Sequence, residues 1–233
     1  MVNVQGVLDQ VRVCVVIPVH NEAKNIGPLV KALRHEGLDV VVVDDGSTDQ
    51  SGLMARHNGA VVLTHDKKQG KGRSLLKGFG YALERDYDGV LTMDGDGQHD
   101  VHDIPQFMEQ AKGGGPAIIT GNRMHNPQGM PGVRLWTNRV MSVVISFLCR
   151  QKIPDTQCGF RLISCAILRQ LQLTSCDFEI ETEVLMKASK KGFKIVSIPV
   201  RTIYWGESSK INPFFDTIRF FAYLIKEALA RQN

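Results

Sequence analysis

The sequence lacks any run of roughly 18 consecutive apolar residues, so it offers no membrane-spanning helix. Its first residues, MVNVQGVLDQVRV, lack a basic region followed by an apolar segment, which gives no sign of secretion. No CxxC pair occurs among Cys14, Cys149, Cys158, Cys165 and Cys176; five thiols, an odd number, without metal-ligand spacing read as reduced cysteines of a cytosolic protein. Cys14 falls inside an apolar strand pattern, where a small buried hydrophobe is expected. No long block of like charge is present either. A formal net charge of +4, from scattered basic residues, argues against a nucleic-acid-binding protein and leaves anionic ligands or a membrane surface open. No GxGxxG follows the first strand pattern, which removes a dinucleotide-binding dehydrogenase. Internal repeats and low-complexity linkers are absent.

What is present suits one sizeable core: 233 residues, 43% hydrophobic and 22% charged. β-Branched Val11 to Ile17 reads as a strand, and Ile26, Leu29, Val30 and Leu33 place a helix over Ala23 to His35. Further strands are expected at Val40 to Val43, Ala60 to Thr64, from Val90, and at Ala117 to Thr120. Helices between them are expected from about Thr48, at Gly70 to Glu84 and at Asp103 to Lys112. After a loop over 122–132, the pattern gives a helix at Leu135 to Cys149, a strand or turn at Gln157 to Ser164, a helix at Phe178 to Lys190 and a strand at Lys194 to Val200. Such alternation implies an α/β domain with a mostly parallel, doubly wound sheet flanked by helices, whose ligands bind beyond the carboxyl ends of the strands. Asn212 and Pro213 then open a final helix to about Ala230. Its apolar arc, centred on Phe214, Ile218, Phe221, Ile225 and Leu229, is wider than one sheet face requires and fits a buried helix, an oligomer contact or a membrane interface.

The Val90 run stops at two carboxylates, Asp94 and Asp96, beside Gly95 and Gly97 and followed by Gln98. Residues i and i+2 at a strand end point the same way, so the two carboxylates are expected to converge. With the Gln98 amide they form a hard oxygen set suited to Mg²⁺ or Mn²⁺, with open positions for a diphosphate. An acidic turn alone would look the same; its companions decide. They are Pro18-Val19-His20-Asn21-Glu22, Asp44-Asp45-Gly46-Ser47-Thr48-Asp49 and Gly70-Lys71-Gly72-Arg73, in that order along the chain. Ser47 or Thr48 reads by itself as a helix N-cap, and Asp100 and Asp103 as caps of the next helix. His99 and His102 read as solvated or capping residues.

This ordered set resembles the inverting glycosyltransferases of family 2, which have a single GT-A nucleotide-binding α/β domain. Asp155-Thr156-Gln157-Cys158-Gly159-Phe160-Arg161 and Trp205-Gly206-Glu207-Ser208-Ser209-Lys210 resemble the dolichyl- or polyprenyl-phosphate mannose and glucose synthase branch. The resemblance implies that Pro18, Val19, Asn21 and Glu22 wrap the donor nucleotide and that Asp45 accepts a hydrogen bond from its base or ribose. It makes Lys71, on a glycine-rich turn at a helix N-terminus, a cation for the donor phosphates. Asp94, Asp96 and Gln98 become the metal and diphosphate motif.

A polyprenyl phosphate is ionised at neutral pH and needs cations to hold it rather than a base. Arg123, Arg139, Arg161 and Lys210 are the candidates, with Asp96, Arg161 and Lys210 as the catalytic group. A hydroxyl acceptor would need a base. Glu181 or Glu183 could serve, although on a helix Glu179 and Glu183 share a face that Glu181 does not, so at least one of the three is expected to be solvated surface. The expected activity is transfer of a sugar from a GDP- or UDP-linked donor to a lipid phosphate. The alternatives are transfer to a hydroxyl of a lipid-linked or cell-envelope glycan, or a catalytically silent nucleotide-sugar-binding scaffold. The expected domain covers 1–210 and the amphipathic helix 211–233. The expected location is the cytoplasm or the cytoplasmic face of a membrane, as a peripheral protein or a homo-oligomer.

Overall fold

The computed structural model describes residues 11–203 apart from 113, 114, 116, 128 and 178. The strands are β1 (Val13–Val19), β2 (Asp39–Asp44), β3 (Val61–Thr64), β4 (Gly89–Thr92), β5 (Ala117–Asn122), β6 (Arg161–Ser164) and β7 (Lys194–Pro199). The main helices are α1 (Ala23–His35), α2 (Ser51–His57), α3 (Lys71–Glu84), α4 (Ile104–Lys112), α5 (Gly132–Cys149) and α6 (Glu179–Lys190). The strands make one sheet in the order β3-β2-β1-β4-β6-β5-β7. All neighbours are parallel except β6, which runs against both β4 and β5. The mostly parallel α/β sheet expected from the sequence is therefore present, with one inverted strand inside it.

Alternation along β1 divides the core in two. Cys14 and Val16 face one layer, packed with α3, α5 and α6; Val13, Val15, Ile17 and Val19 face the other, packed with α1 and α4. All five cysteines are free and four are buried, Cys14 among them. Strand order reverses between β1 and β4, which opens a crevice beyond their carboxyl ends. The turns after both strands meet there. The helix expected over 212–230 lies outside the described residues, as does Trp205 to Lys210. Among the described residues, no helix is long and apolar enough to cross a membrane.

Candidate active site

The turns after β1 and β2 are laced to each other. Asp45 N–H donates to Val19 O, and Asn21, held at φ 58°, donates its N–H to Ser47 Oγ and accepts from Thr48 N–H through Oδ1 at 2.8 Å. Glu22 N–H donates to Ser51 Oγ at 2.7 Å. Ser47 and Thr48 therefore cap no helix. That work falls to Asp49, whose carboxylate accepts from Ala23 N–H at the start of α1 and from Ser51 N–H at the start of α2. Pro18, Val19, Asn21 and Glu22 thus sit where a nucleotide-wrapping turn was expected, built as a rigid double loop.

Asp45 is buried, and its oxygens are already engaged. Oδ1 lies 2.9 Å from His65 Nδ1 and accepts from Gln69 N–H, while Oδ2 accepts from Gly70 N–H at 2.9 Å. Burial would raise its carboxyl, but these hydrogen bonds outweigh it and hold the group below the ordinary carboxylate range. Asp45 anchors the turn that starts α3, and of its two oxygens Oδ2 carries the single contact. The same contacts use the Gly70 N–H group, one of those on the glycine-rich turn at the start of α3. Gly70 is held at φ 101°, and a Cβ there would stand 2.2 Å from Asp177 Oδ1. The glycine accommodates a neighbouring loop.

The turn delivers Lys71. Its ammonium lies 2.6 Å from Asp94 Oδ1 and 2.8 Å from Glu181 Oε1. Burial opposes the charge on Lys71, but the two carboxylates prevail and raise its pKa above the usual value. Asp94 and Asp96 lie beyond the end of β4 in a turn, not on the strand end as expected, and Gly97 follows at φ 75°. The pair still interacts. Burial would raise Asp94, yet Lys71 and His99 hold it well below the carboxylate range; burial and the Asp94 charge push Asp96 up. Gln98 contributes its backbone N–H to Asp96 Oδ1 at 3.0 Å, and its carbonyl accepts from Ile203 N–H.

His99 was not expected in the site. It is buried, with Nε2 3.2 Å from Asp94 Oδ2 and its ring 5.0 Å from that of Phe160. Its place directly after Gln98, five residues beyond Asp94, was the available signal. Asp103 was expected to cap a helix. Instead it accepts from Arg201 N–H and Nε, so the chain after β7 is tied beside the acidic turn; Asp100 does cap the short turn Val101–Asp103. Nothing local marks a contact 98 residues away.

The segment before β6 forms the opposite wall. Thr92 Oγ1 donates to Gly159 O at 2.7 Å, and a Cβ at Gly159 would stand 2.7 Å from Asp94 Oδ2 and 3.0 Å from Glu181 Oε1. Arg161, expected to hold an acceptor phosphate, is 1% exposed and donates to the carbonyls of Cys158, Glu181 and Thr156. It pins this wall to α6. Arg123, 6% exposed, forms a two-pronged pair with Asp155, which also accepts from Asn138 on α5. With that charge neutralised and buried, Arg123 has no phosphate to hold in this arrangement. Arg139 is exposed on α5, and Lys210 lies outside the described residues. Glu183 is buried. It accepts from Thr174 and Ser175 N–H and from Lys187 Nζ, contacts that overcome burial and lower its pKa, so it is a poor base. Neither Glu181 nor Glu183 is solvated surface. Glu181 alone of the two reaches the site.

The donor set suits an ion that arrives with its ligand. Among the described residues, no three His, Cys, Asp or Glu side chains form a metal cage. Two mutually repelling, half-buried carboxylates fit Mg²⁺ or Mn²⁺, which are commonly held by one or two carboxylates plus substrate phosphates.

The family model "Glycosyl transferase family 2" matches residues 14–172, which carry both the laced turns and the acidic turn. The chain belongs to glycosyl transferase family 2. It is 27% identical over 212 residues to a UDP-N-acetylglucosamine–dolichyl-phosphate N-acetylglucosaminyltransferase of Methanococcus voltae, covering 81% of this chain and 84% of that one. It is 26% identical over 205 residues to a polyprenol monophosphomannose synthase of Mycolicibacterium smegmatis, covering 81% and 76%. Its fold matches the glucosyl-3-phosphoglycerate synthase of Mycobacterium tuberculosis, solved with Mn²⁺, UDP and phosphoglyceric acid, with TM-score 0.73 at 18% identity over 98% of this chain and 81% of that one. The α/β domain is thus the GT-A fold of known glycosyltransferases. Glu181 and Glu183 lie beyond the residues matched by the family model.

Proposed function

We propose that this family 2 glycosyltransferase moves a sugar, with inversion, from a nucleoside-diphosphate donor to a phosphate-bearing, lipid-linked acceptor. The observation that carries the reading is the meeting of Lys71, Asp94 and Glu181 beyond the β1–β4 crevice, with Asp96 two residues from Asp94. Asp94 and Asp96 would hold Mg²⁺ or Mn²⁺, with Gln98 beside them. Bound there, the ion neutralises charge on the departing diphosphate. The loops at 18–22 and 44–51 flank the nucleotide. Lys71, a cation at a helix start, is placed to turn from Asp94 to a phosphate oxygen when the donor enters. Gly159, lacking a side chain, lets the Asp94 and Glu181 carboxylates close on Lys71 without obstruction. Support for the acceptor comes from the relatives named for dolichyl and polyprenol phosphates and from the phosphoglycerate bound in the structural match.

Two attacking atoms are compatible with such an acceptor. A phosphate oxygen needs cations, which Arg139 and Lys210 would provide now that Arg123 and Arg161 are engaged in the interior. A hydroxyl needs a base, and the position of Glu181 in the site favours this second reading. Calorimetric titration with UDP-glucose, UDP-N-acetylglucosamine and GDP-mannose, with and without Mn²⁺, tests the donor half. Metal-dependent binding of one donor, lost in Asp96→Ala, is expected; no donor binding by the folded protein would leave a silent scaffold. Product analysis with a polyprenyl phosphate and with a lipid-linked sugar then separates the acceptors, and Glu181→Gln should abolish only hydroxyl transfer.

A further inference from the structure

Helix α5 presents two opposite faces. Asn138, Met141, Ser142, Ile145 and Cys149 are buried against the domain. On the far side Val133 is 70% exposed, Trp136 68%, Val143 70% and Phe147 82%. With half-buried Val140, these residues fall within an arc of roughly 80° and run about 21 Å along the helix at 100° and 1.5 Å per residue. Four large apolar side chains in one open stripe are unlike the singly scattered hydrophobics of an ordinary surface.

Charge says what covers the stripe. From Gly121 to Pro154 the chain contains no Asp or Glu, whereas Arg134, Arg139, Arg150 and Lys152 lie on or just after α5. The carboxylate that follows, Asp155, is fully buried against Arg123 and Asn138. Arg139 and Arg150 are exposed, and Arg139 falls beside the apolar arc on the helical projection. Among the described residues no carboxylate pairs with Arg139 or Arg150, so a second protein surface would have to bring acidic groups of its own to the margin of the apolar stripe. An anionic lipid surface accepts both, with apolar side chains among the acyl chains, Trp at the headgroup level and guanidinium groups on phosphates.

We infer that the outer face of α5 is a docking surface for an anionic lipid bilayer, which it enters in-plane through Val133, Trp136, Val143 and Phe147. This rests on the proposed lipid-linked acceptor. The buried link from Asn138 through Asp155 to Arg123 fixes α5 rigidly to the wall that carries Gly159, so docking would set the height of the site above the headgroups.

The test is flotation of the full chain with phosphatidylcholine vesicles, with and without phosphatidylglycerol, beside a Trp136→Ser, Phe147→Ser double variant. The wild type should float with the anionic vesicles and lose most of that binding with neutral lipid or high salt. The double variant should bind at least about tenfold more weakly, since two large apolar side chains no longer enter the lipid. It should still glycosylate a short-chain, water-soluble acceptor at the wild-type rate. Equal flotation of wild type and variant would place lipid contact elsewhere and overturn the inference. So would a wild type that floats with neither vesicle, or a solution dimer that the double variant dissolves. Failure of the acceptor assays alongside stripe-dependent flotation would overturn the proposed function and keep the docking surface.

Discussion

Gly159 backs directly onto Asp94: a methyl group on its Cα would stand 2.7 Å from Asp94 Oδ2. The atoms in the way are the ends of two carboxylate side chains, Asp94 and Glu181, which can swing aside. Gly159→Ala is therefore expected to fold, losing under about 2 kcal/mol, the usual range for modest overpacking. Activity should fall on the order of a hundredfold, because ligands and reacting groups displaced by even about 1 Å lose that much. Thermal unfolding and a donor-turnover assay on the same preparation check the two halves.

His99 orients Asp94 without facing the ligand space. One ring nitrogen meets the carboxylate and the other, Nδ1, is buried without a hydrogen-bond partner among the described residues. His99→Phe keeps the ring on Phe160 and removes both polar atoms. Stability should stay near wild type, while Mn²⁺ affinity in the presence of UDP falls about 10–100-fold, as is typical when a ligand loses its supporting partner. Calorimetry with Mn²⁺ and UDP decides; unchanged affinity would show that His99 only fills space.

Arg123 and Arg139 should behave oppositely. Arg123→Met strands Asp155 as an unpaired buried charge, and breaking such a pair costs about 3–5 kcal/mol. Arg139→Met, on an exposed flank, should change stability by no more than about 0.5 kcal/mol. Urea unfolding of the two variants measures the contrast.

Glu183 sets an acid limit. Its folded pKa lies below the ordinary 4.5 because, despite burial, Lys187 and the N–H groups of Thr174 and Ser175 favour the charged form. The unfolded chain therefore binds this proton more readily. The stabilisation is complete above the unfolded value and disappears as pH falls from about 4.5 through the lower folded value. Glu183→Gln should lower Tm at neutral pH and flatten its decline in acid. A parallel decline in both proteins would rule this out.

Local signals were legible. The apolar spacing that placed α1 over Ala23 to His35, and the β-branched runs that placed β1, β2 and β5, depend on periodicity within a single element. The order of the polar turns also led to the family. Partnerships across the chain were not legible. Arg161 and Arg123 look like phosphate ligands in one dimension because nothing there shows that Asp155 and three carbonyls already surround them. The structural partners of Asp45 were hidden for the same reason, since His65, Gln69 and Gly70 are 20 or more residues away. Lys71 is the converse case. Its motif marked it as a cation of the site, but the pairing with Glu181 spans 110 residues.

The inverted strand β6 couples the two walls by counting. Thr92 on β4 pairs with Arg161 on β6, and Asp94 and Gly159 each lie two residues from that shared rung, one forward and one back. Inserting a single residue on either side would slide one wall past the other by a strand step of about 3.4 Å and take Gly159 out of register with Asp94. Residues 93–96 and 157–160 are thus more tightly constrained in number than in kind. Length can vary only outside the ladder's reach, past Gln98 or before Asp155, and divergent members of this architecture should carry their insertions there.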